Sequence, residues 1–224
     1  MRATAHSRAL LGLAAAWWLA AGAAPAGTLS GAVSTRTATG ATPAPAIVYA
    51  EPLDAAAPRR PGTYTLTQKH RTFSPTVLAV PVGSTVDFPN GDPVFHNVFS
   101  LSAPEPFDLG LYRGGASRSR TFTRPGTYRV FCNIHPEMTA FIAVVPSPWV
   151  TLADTGGRFS LDLPPGRYRL TALSERARPV QAEVTVGAGA AAAPPLQLDE
   201  SSFVQAPHKN KHGQEYPAAN WEKP

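Results

Sequence analysis

The sequence predicts an all-β protein made of two consecutive β-sandwiches. Its 224 residues include 24 prolines and 18 glycines, a composition that favours tight turns over long helices. Short runs rich in Val, Thr, Tyr and Phe recur between the turns, in segments 76–90, 94–100, 126–133 and 139–145. Short strands at this spacing are typical of a sandwich or barrel. The chain is also long enough for one or two domains with cores of their own.

Residues 1–26 have the layout of a cleavable signal peptide. Arg2 and Arg8 precede an Ala-rich apolar stretch that ends in small residues. This stretch is too short and too rich in alanine for a transmembrane helix, which needs about 20 strongly apolar residues. We therefore expect export to the periplasm, or secretion, with cleavage after Ala24 or Ala26. The mature form is expected to have no membrane span, and no cysteine lies near the cleavage site to accept a lipid anchor.

The charge of the mature chain does not indicate a nucleic-acid partner. Removal of the leader takes away two arginines and no acidic residue, so the formal charge falls by two from +5. The arginines between residues 113 and 129 are scattered, whereas nucleic-acid-binding proteins concentrate basic residues on one face or helix. We interpret these arginines as a solvated surface of strands and loops, with docking to an acidic partner as the alternative.

Composition divides the mature chain into three parts. Residues 27–147 carry sharp strand signals after some lead-in strands, and we assign them to the first domain. Residues 148–198 alternate polar and apolar side chains without concentrated metal donors, which predicts a small second β-domain. Residues 199–224 are polar and are predicted to form a flexible tail without a core.

The single cysteine, Cys132, lies in the segment FCNIHPEM at 131–138. It cannot form an intrachain disulfide, so in an oxidising compartment it must be buried, paired with another chain, reactive or bound to metal. His135 and Met138 follow at intervals of three residues. Two imidazoles, one thiolate and a weak axial Met describe a blue-copper site. The missing imidazole must come from elsewhere, and His96 in the strand-like segment DPVFHNVFS is the candidate.

An upstream His-Asn pair followed by C-x-x-H-x-x-M resembles the cupredoxins, the type 1 blue copper proteins of the amicyanin and plastocyanin type. The loop CNIHPEM is most similar to the short ligand loop of amicyanin, and the resemblance covers about residues 64–146. It implies a Greek-key β-sandwich that holds one copper ion. The equatorial ligands would be His96, Cys132 and His135, and the axial ligand would be Met138.

The same resemblance implies roles for three neighbouring residues. Asn97 would link the two ligand-bearing segments and help to place a hydrogen-bond donor near the thiolate sulfur. Pro136 and Glu137 would lie where a redox partner docks. An apolar docking surface is usual in this family, so the charge of Glu137 is a departure from its pattern.

The whole chain is similar to bacterial proteins labelled methylamine-utilisation proteins. Residues 148–198 resemble a carboxypeptidase-regulatory-like, or transthyretin-like, β-sandwich, which is a non-catalytic appendage. These resemblances imply a periplasmic one-electron carrier between a dehydrogenase or c-type cytochrome and an acceptor, with methylamine utilisation as one context.

Two other functions remain open on the sequence alone. The site could store or deliver copper, or the two sandwiches could form a non-catalytic envelope-interaction module that the metal only stabilises. Enzymatic functions fit less well, because a Cys–His nucleophile pair needs an accessible thiolate and an orienting third group. The sequence also lacks His-x-His pairs for a trinuclear copper centre and C-x-x-C-H for a c-type haem. We therefore expect no enzymatic activity.

The remaining histidines of the mature chain are not expected to be ligands. His70, in QKHRTFSP, is interpreted as an exposed loop residue. His208 and His212 could meet across a helical turn and capture metal, but we interpret them as part of the flexible tail.

Overall fold

A computed structural model of the chain describes residues 26–216. The signal peptide predicted for residues 1–26 lies outside these residues except for Ala26. All regular elements within the described range are β-strands, which confirms the all-β prediction. None of the described residues forms a helix with the length and apolarity that a membrane span requires.

Numbered in chain order, the strands are β1 Gly27–Arg36, β2 Ile47–Pro52, β3 Thr63–Thr65, β4 Thr67–Lys69, β5 Thr72–Ser74, β6 Val77–Pro81, β7 Thr85–Pro89, β8 His96–Ser100, β9 Phe107–Tyr112, β10 Ser117–Thr121, β11 Gly126–Phe131, β12 Thr139–Val145, β13 Val150–Leu152, β14 Arg158–Leu163, β15 Gly166–Leu173, β16 Val180–Val186, β17 Ala191–Ala192 and β18 Leu196–Asp199.

The first sandwich is formed by β3 to β12. Its larger sheet has the order β6-β12-β11-β8-β9, and its smaller sheet has the order β10-β7-β3, with β4 and β5 as a separate hairpin. Alternation along β7 turns Val86 and Phe88 into the interior, where they share one core with residues of the larger sheet. The central strand of the larger sheet is β11, and β12 and β8 are its neighbours.

Aromatic side chains form the centre of this core. The ring centroids of Phe107 and Phe122 lie 5.8 Å apart, and those of Phe122 and Tyr128 lie 4.8 Å apart, both edge to face. Such pairs stabilise a core by about 0.5–1.5 kcal/mol beyond the burial of their area. The Tyr128 hydroxyl donates to the carbonyl oxygen of Arg124 at 3.3 Å, so this buried phenol is hydrogen-bonded. The core therefore offers a rigid support to the strands of the larger sheet.

The second sandwich combines strands from both ends of the chain. One sheet has the order β13-β2-β15-β16, and the other has the order β14-β1-β17, with β18 also paired to β1. In the antiparallel pair of β1 and β14, Leu29 lies opposite Leu161. Both residues are buried in a core that also contains Leu163 and Leu170.

The N-terminal strands therefore do not belong to the domain 27–147 in which the sequence analysis placed them. Strands that are close along the chain often pair, which favoured pairing of β1 and β2 with β3 and its neighbours. Instead, β1 and β2 pair with strands from β13 onward and bury Leu29, Val33 and Val48 in the core of the second sandwich. The first sandwich is thus an insertion between β2 and β13.

The two sandwiches pack on each other through a third apolar cluster. Phe141, Ala143 and Val145 of β12 contribute to it from the first sandwich, while Ile47 and Leu173 contribute from the second. An ion pair between Arg129 Nε and Glu175 Oε1, at 2.8 Å, lies beside this contact. The side chains of β12 that point away from the first core are therefore buried.

The polar segment 199–216 is held against both sandwiches, which contradicts the prediction of a flexible tail for its described part. Glu200 is buried, and its carboxylate accepts hydrogen bonds from the Ser174 hydroxyl at 2.6 Å and the Ala44 N–H at 3.1 Å. Further along, the His208 ring stacks on Phe131 of the first sandwich. A polar segment has no core of its own, but hydrogen bonds to other elements can order it. Residues 217–224 lie outside the described range.

The substitution Leu29→Ala tests the assignment of β1 to the second sandwich. We expect it to lower the free energy of unfolding by about 2–5 kcal/mol, because the side chain is fully buried and a cavity would remain. Urea unfolding would measure the loss, and nuclear magnetic resonance would show the largest chemical-shift changes around Leu161.

The matched control is Ser30→Ala, at the neighbouring exposed position, which should change stability by less than about 0.5 kcal/mol. Chemical-shift changes centred on Phe88 of the first sandwich, rather than on Leu161, would contradict the assignment.

Candidate metal centre

Two adjacent strands bring His96 and Cys132 together at one end of the first sandwich. His96 is the first residue of β8, and Cys132 directly follows β11. These strands are antiparallel neighbours, with Phe131 opposite Phe99. Because the beginning of one strand lies beside the end of its antiparallel neighbour, residues 36 positions apart in the chain become neighbours in space.

The side chains of His96, Cys132 and His135 converge on one point. The two histidine Nδ1 atoms lie 3.1 Å apart, and the Cys132 sulfur lies 3.8 Å from Nδ1 of His96 and 3.7 Å from Nδ1 of His135. No other group of three potential His, Cys or carboxylate ligands comes this close within residues 26–216. The structure therefore brings together three of the four side chains that the sequence analysis selected as ligands.

The spacing of these atoms suits a metal ion between them. Metal–nitrogen bonds of about 2.0 Å and metal–sulfur bonds of about 2.3 Å in a trigonal plane separate the two nitrogens by about 3.5 Å and each nitrogen from the sulfur by about 3.7 Å. The observed separations of 3.1 Å, 3.7 Å and 3.8 Å are close to these values. The donor atoms thus lie at metal-binding distances.

Backbone hydrogen bonds close the loop of residues 132–138, which we call the ligand loop and which contains Cys132, His135 and Met138. The Cys132 N–H donates to the carbonyl oxygen of Met138 at 3.2 Å, and the Met138 N–H donates to that of His135 at 2.9 Å. The side chain of Met138 is fully buried and belongs to the same core cluster as Cys132. The thioether is consequently held inside the sandwich, in the loop that supplies the thiol and one imidazole.

The surroundings of the Cys132 sulfur favour its thiolate form. Burial raises the pKa of the thiol, since the residue has no exposed surface. Hydrogen bonding to His96 and to the backbone N–H groups of Asn97, Ile134 and His135 outweighs burial, so that the pKa lies below its usual value. Metal ligation requires the thiolate, and these contacts stabilise it.

Asp92, a residue that the sequence analysis did not select, holds the His96 ring from behind. Its Oδ2 atom lies 2.8 Å from Nε2 of His96. The backbone N–H groups of His70 and Arg71 donate to its two oxygens at 2.6 Å and 2.9 Å. Burial raises the pKa of Asp92, but these hydrogen bonds outweigh burial and lower it to about 2. The carboxylate accepts a hydrogen bond from the Nε2–H group, so that loss of the Nδ1 proton leaves the Nδ1 lone pair directed at the site.

The hairpin of β4 and β5 supports this carboxylate. His70 and Arg71 form its turn with φ angles of 55° and 54°, and this left-handed conformation aims both N–H groups at Asp92. The side chain of His70 is exposed, as expected from the sequence. The sequence offered one signal for this contact, since Asp92 lies four positions before His96. The loop between them is irregular, so this spacing does not predict that the two side chains meet.

The two histidines have opposite electrostatic environments. Burial lowers the pKa of His96, but its contacts with Cys132 and Asp92 outweigh burial and raise it. Burial and the nearby His96 both lower the pKa of His135. His135, which is only half-buried, is therefore held in its neutral form, in which a ring nitrogen has a free lone pair for a metal ion.

The structure divides the predicted role of Asn97 between its backbone and its side chain. Its backbone N–H is a donor to the Cys132 sulfur. Its side-chain Nδ2 instead donates to Oδ1 of Asp108 on β9 at 2.6 Å, so the amide links β8 to β9 and not to the ligand loop. The side-chain oxygen of Asn97 is buried without a hydrogen-bond partner among the described residues.

The surface around the site is largely apolar. Phe95 and Ile134, each next to one of the converging side chains, are 53% and 42% exposed. Leu111 of β9 is similarly exposed. Of the two residues predicted to contact a partner, Glu137 is exposed and Pro136 is half-buried. Glu137 thus places an acidic group close to His135, on the same loop as the exposed Ile134.

No protein-family model matches the chain, and no curated protein shows significant similarity to it. Solved structures of three copper proteins or cupredoxins resemble parts of it. A Cu-containing nitrite reductase from Thermus scotoductus SA-01 is 32% identical over 42% of this chain and 25% of its own, with a TM-score of 0.36. A methionine-to-alanine mutant of amicyanin in its Cu(I) form is 24% identical over 37% of this chain and 82% of its own, with a TM-score of 0.35. A purple cupredoxin from Nitrosopumilus maritimus is 25% identical over 36% of this chain and 98% of its own, with a TM-score of 0.33. Each likeness is confined to less than half of this chain.

Proposed function

We propose that the protein is a type 1 copper protein of the cupredoxin kind that carries single electrons between redox proteins. The observation that supports this function best is the convergence of His96 Nδ1, His135 Nδ1 and Cys132 Sγ within 3.8 Å of one another. Met138, buried in the same loop, would supply a fourth donor.

The donor set favours copper over other metals. A thiolate and a thioether are soft ligands, and two imidazoles with one thiolate and a weak axial thioether are characteristic of electron-transfer copper sites. Structural zinc sites instead combine four Cys or His ligands. His96, Cys132, His135 and Met138 would hold the ion. Copper bound there would supply a one-electron redox couple.

The protein holds these donors in place by contacts that do not depend on the metal. Asp92 orients His96, the backbone hydrogen bonds of Met138 close the ligand loop, and Cys132 directly follows the central strand of a packed sheet. A site with one preferred arrangement changes little between oxidation states, which keeps the reorganisation energy of electron transfer low. Complete burial of Cys132 also argues against a thiol nucleophile, since a substrate could not reach the sulfur.

His135 is the proposed exit for the electron. Its ring is half-buried, and its neighbours Ile134 and Glu137 are exposed. A redox protein that docks on this surface would approach the site through the imidazole edge. We infer a dehydrogenase or a c-type cytochrome as partner, in the periplasm to which the proposed leader would direct the chain, and methylamine utilisation is one such context.

Loading with Cu(II) tests the function directly. We expect an intense blue colour from thiolate-to-copper charge transfer, together with reversible one-electron reduction. Cys132→Ser should abolish the colour, because the hydroxyl is not a comparable donor. His212→Ala, which changes an exposed histidine outside the donor set, is the control and should remain blue. A colourless Cu(II) complex of the unmodified protein would rule the function out.

The substitution Asp92→Asn tests the support of His96. An amide oxygen is a weaker acceptor than a carboxylate for the hydrogen bond from Nε2–H, so the imidazole becomes a weaker metal ligand. We expect copper affinity to fall by about 10–100-fold and the reduction potential to rise, since Cu(II) loses more stabilisation than Cu(I). Competition with a chelator and voltammetry would measure the two quantities.

Asp162→Asn is the matched control for this substitution, because Asp162 is exposed on β14 of the second sandwich. It should leave both quantities unchanged. Equal values for Asp92→Asn and the unmodified protein would show that the carboxylate has no influence on the site.

The charge of Glu137 should influence the approach of ionic redox partners. With the anionic oxidant hexacyanoferrate(III), we expect Glu137→Lys to increase the rate of electron transfer several-fold at low ionic strength, and salt should diminish the gain. Stopped-flow absorbance would follow the reaction. Glu183→Lys, the same change at an exposed position of β16, is the control. Equal rates for the two variants would refute a special role of Glu137 near the electron exit.

A further inference from the structure

A segment close to the C-terminus lies across the ligand loop of the proposed copper site. We call residues 207–216 the C-terminal strap. Three of its side chains, those of His208, Lys211 and Tyr216, contact residues of the loop or of the strands beside it. The proposed function uses none of these contacts.

His208 connects the two ends of the part of the loop that contains Cys132 and His135. Its ring stacks on that of Phe131, with a centroid separation of 4.1 Å and an interplanar angle of 20°. Its Nε2 lies 2.5 Å from the carbonyl oxygen of Pro136. Phe131 directly precedes the cysteine, and Pro136 directly follows the histidine. One side chain thus restrains the backbone on both sides of two proposed ligands.

Lys211 connects the loop to β9, the strand paired with β8, which carries His96. Its backbone N–H donates to Oδ1 of Asn133 at 2.9 Å, and its Nζ atom lies 2.8 Å from Oδ2 of Asp108. The other oxygen of Asp108 accepts the hydrogen bond from Asn97. The strap and the residue after His96 therefore bind the same carboxylate.

Tyr216 contacts the backbone of Cys132, the proposed thiolate ligand. Its hydroxyl donates to the carbonyl oxygen of Cys132 at 3.1 Å.

The strap has an ordered turn of its own. Asn210 donates its N–H to the carbonyl oxygen of Gln214 at 2.8 Å and accepts from the Gly213 N–H at 2.9 Å. Gly213 has a φ of 75°, a conformation that glycine adopts without a steric cost. The Asn210 side chain also accepts from the N–H groups of His212 and Gln214. These bonds order the strap between residues 210 and 214.

The strap leaves the electron exit open. Its hydrogen bonds go to the backbone of Cys132 and Pro136 and to the side chains of Asn133 and Asp108. Ile134 and Glu137, on the other part of the loop surface, stay exposed. This distribution suits an element that positions the loop, and it does not suit a cover over His135.

We propose that the C-terminal strap is a positioning element for the ligand loop, in which His208 and Tyr216 hold the loop in its metal-binding conformation before the metal arrives. The consequence for copper rests on the proposed function, whereas the restraint on the loop does not. The strap residues touch the protein and not the metal, and they act through the backbone around Cys132 and His135.

Hydrogen exchange in the metal-free, full-length protein tests the proposal. Tyr216→Phe combined with His208→Ala removes the hydrogen bonds to the carbonyl oxygens of Cys132 and Pro136, together with the ring contacts of His208 with Phe131 and Tyr216. We expect the amides of Cys132 and Met138, whose hydrogen bonds close the loop, to exchange about ten-fold faster or more. Tyr216→Phe alone, which keeps the ring, should give a smaller increase at the same amides.

The control variant is His212→Ala, which changes an exposed side chain of the same strap and should leave exchange unchanged. The amide of Leu161 in the second sandwich reports global unfolding and should exchange at the same rate in every variant. Unchanged exchange at Cys132 and Met138 in the double variant would overturn the proposal. Acceleration that also appears at Leu161 would overturn it as well, because the strap would then stabilise the whole chain and not the loop.

Copper loading separates this proposal from the proposed function. If the unmodified protein does not turn blue, the proposed copper function is wrong. The restraint of the strap on the loop would still be decided by hydrogen exchange alone. If the function holds, the double variant should release copper to a chelator several-fold faster than the unmodified protein, and His212→Ala should not. Equal release rates would show that the strap does not position the ligands.

Discussion

The pairing of β8 with β11 is the interaction on which the site depends. It places the first residue of one strand beside the residue that follows its antiparallel neighbour, and so brings the His96 imidazole to the Cys132 sulfur. The ligand loop then needs only to turn back from Cys132 to β12, and two backbone hydrogen bonds to or from Met138 make that turn. Since β11 is the central strand of a packed sheet, the cysteine cannot shift without disturbing the core beneath it.

Several other elements make contacts that hold these donors in place. The hairpin of β4 and β5 presents two N–H groups to Asp92, and Asp92 orients His96. From the opposite end of the chain, the C-terminal strap binds the backbone of the ligand loop. Each contact restrains a different donor, and none of them requires the metal. Such preorganisation suits a site whose geometry should be the same in two oxidation states.

The second sandwich contributes to this arrangement although it supplies no donor. It pairs strands from the two ends of the chain, so that the first sandwich is inserted between β2 and β13. Phe141 and Val145 of β12 are buried against Ile47 and Leu173 of the second sandwich, which stiffens the outer face of the ligand-bearing sheet. The chain leaves the second sandwich after β18, and the strap then reaches the ligand loop.

The strand-rich character of the chain and the potential metal donors of the loop, Cys132, His135 and Met138, could be predicted from the sequence alone. Both are short-range properties, because alternation, turn residues and a fixed spacing in one loop need no distant partner. His96 could be selected only because a strand-like run surrounds it and the donor set lacked one imidazole. The folded structure was needed to see that β1 and β2 join the second sandwich, that Asp92 supports His96 and that the strap contacts the loop. These contacts join residues whose separation along the chain follows no period, and the packing of the folded chain, rather than any local pattern, brings them together.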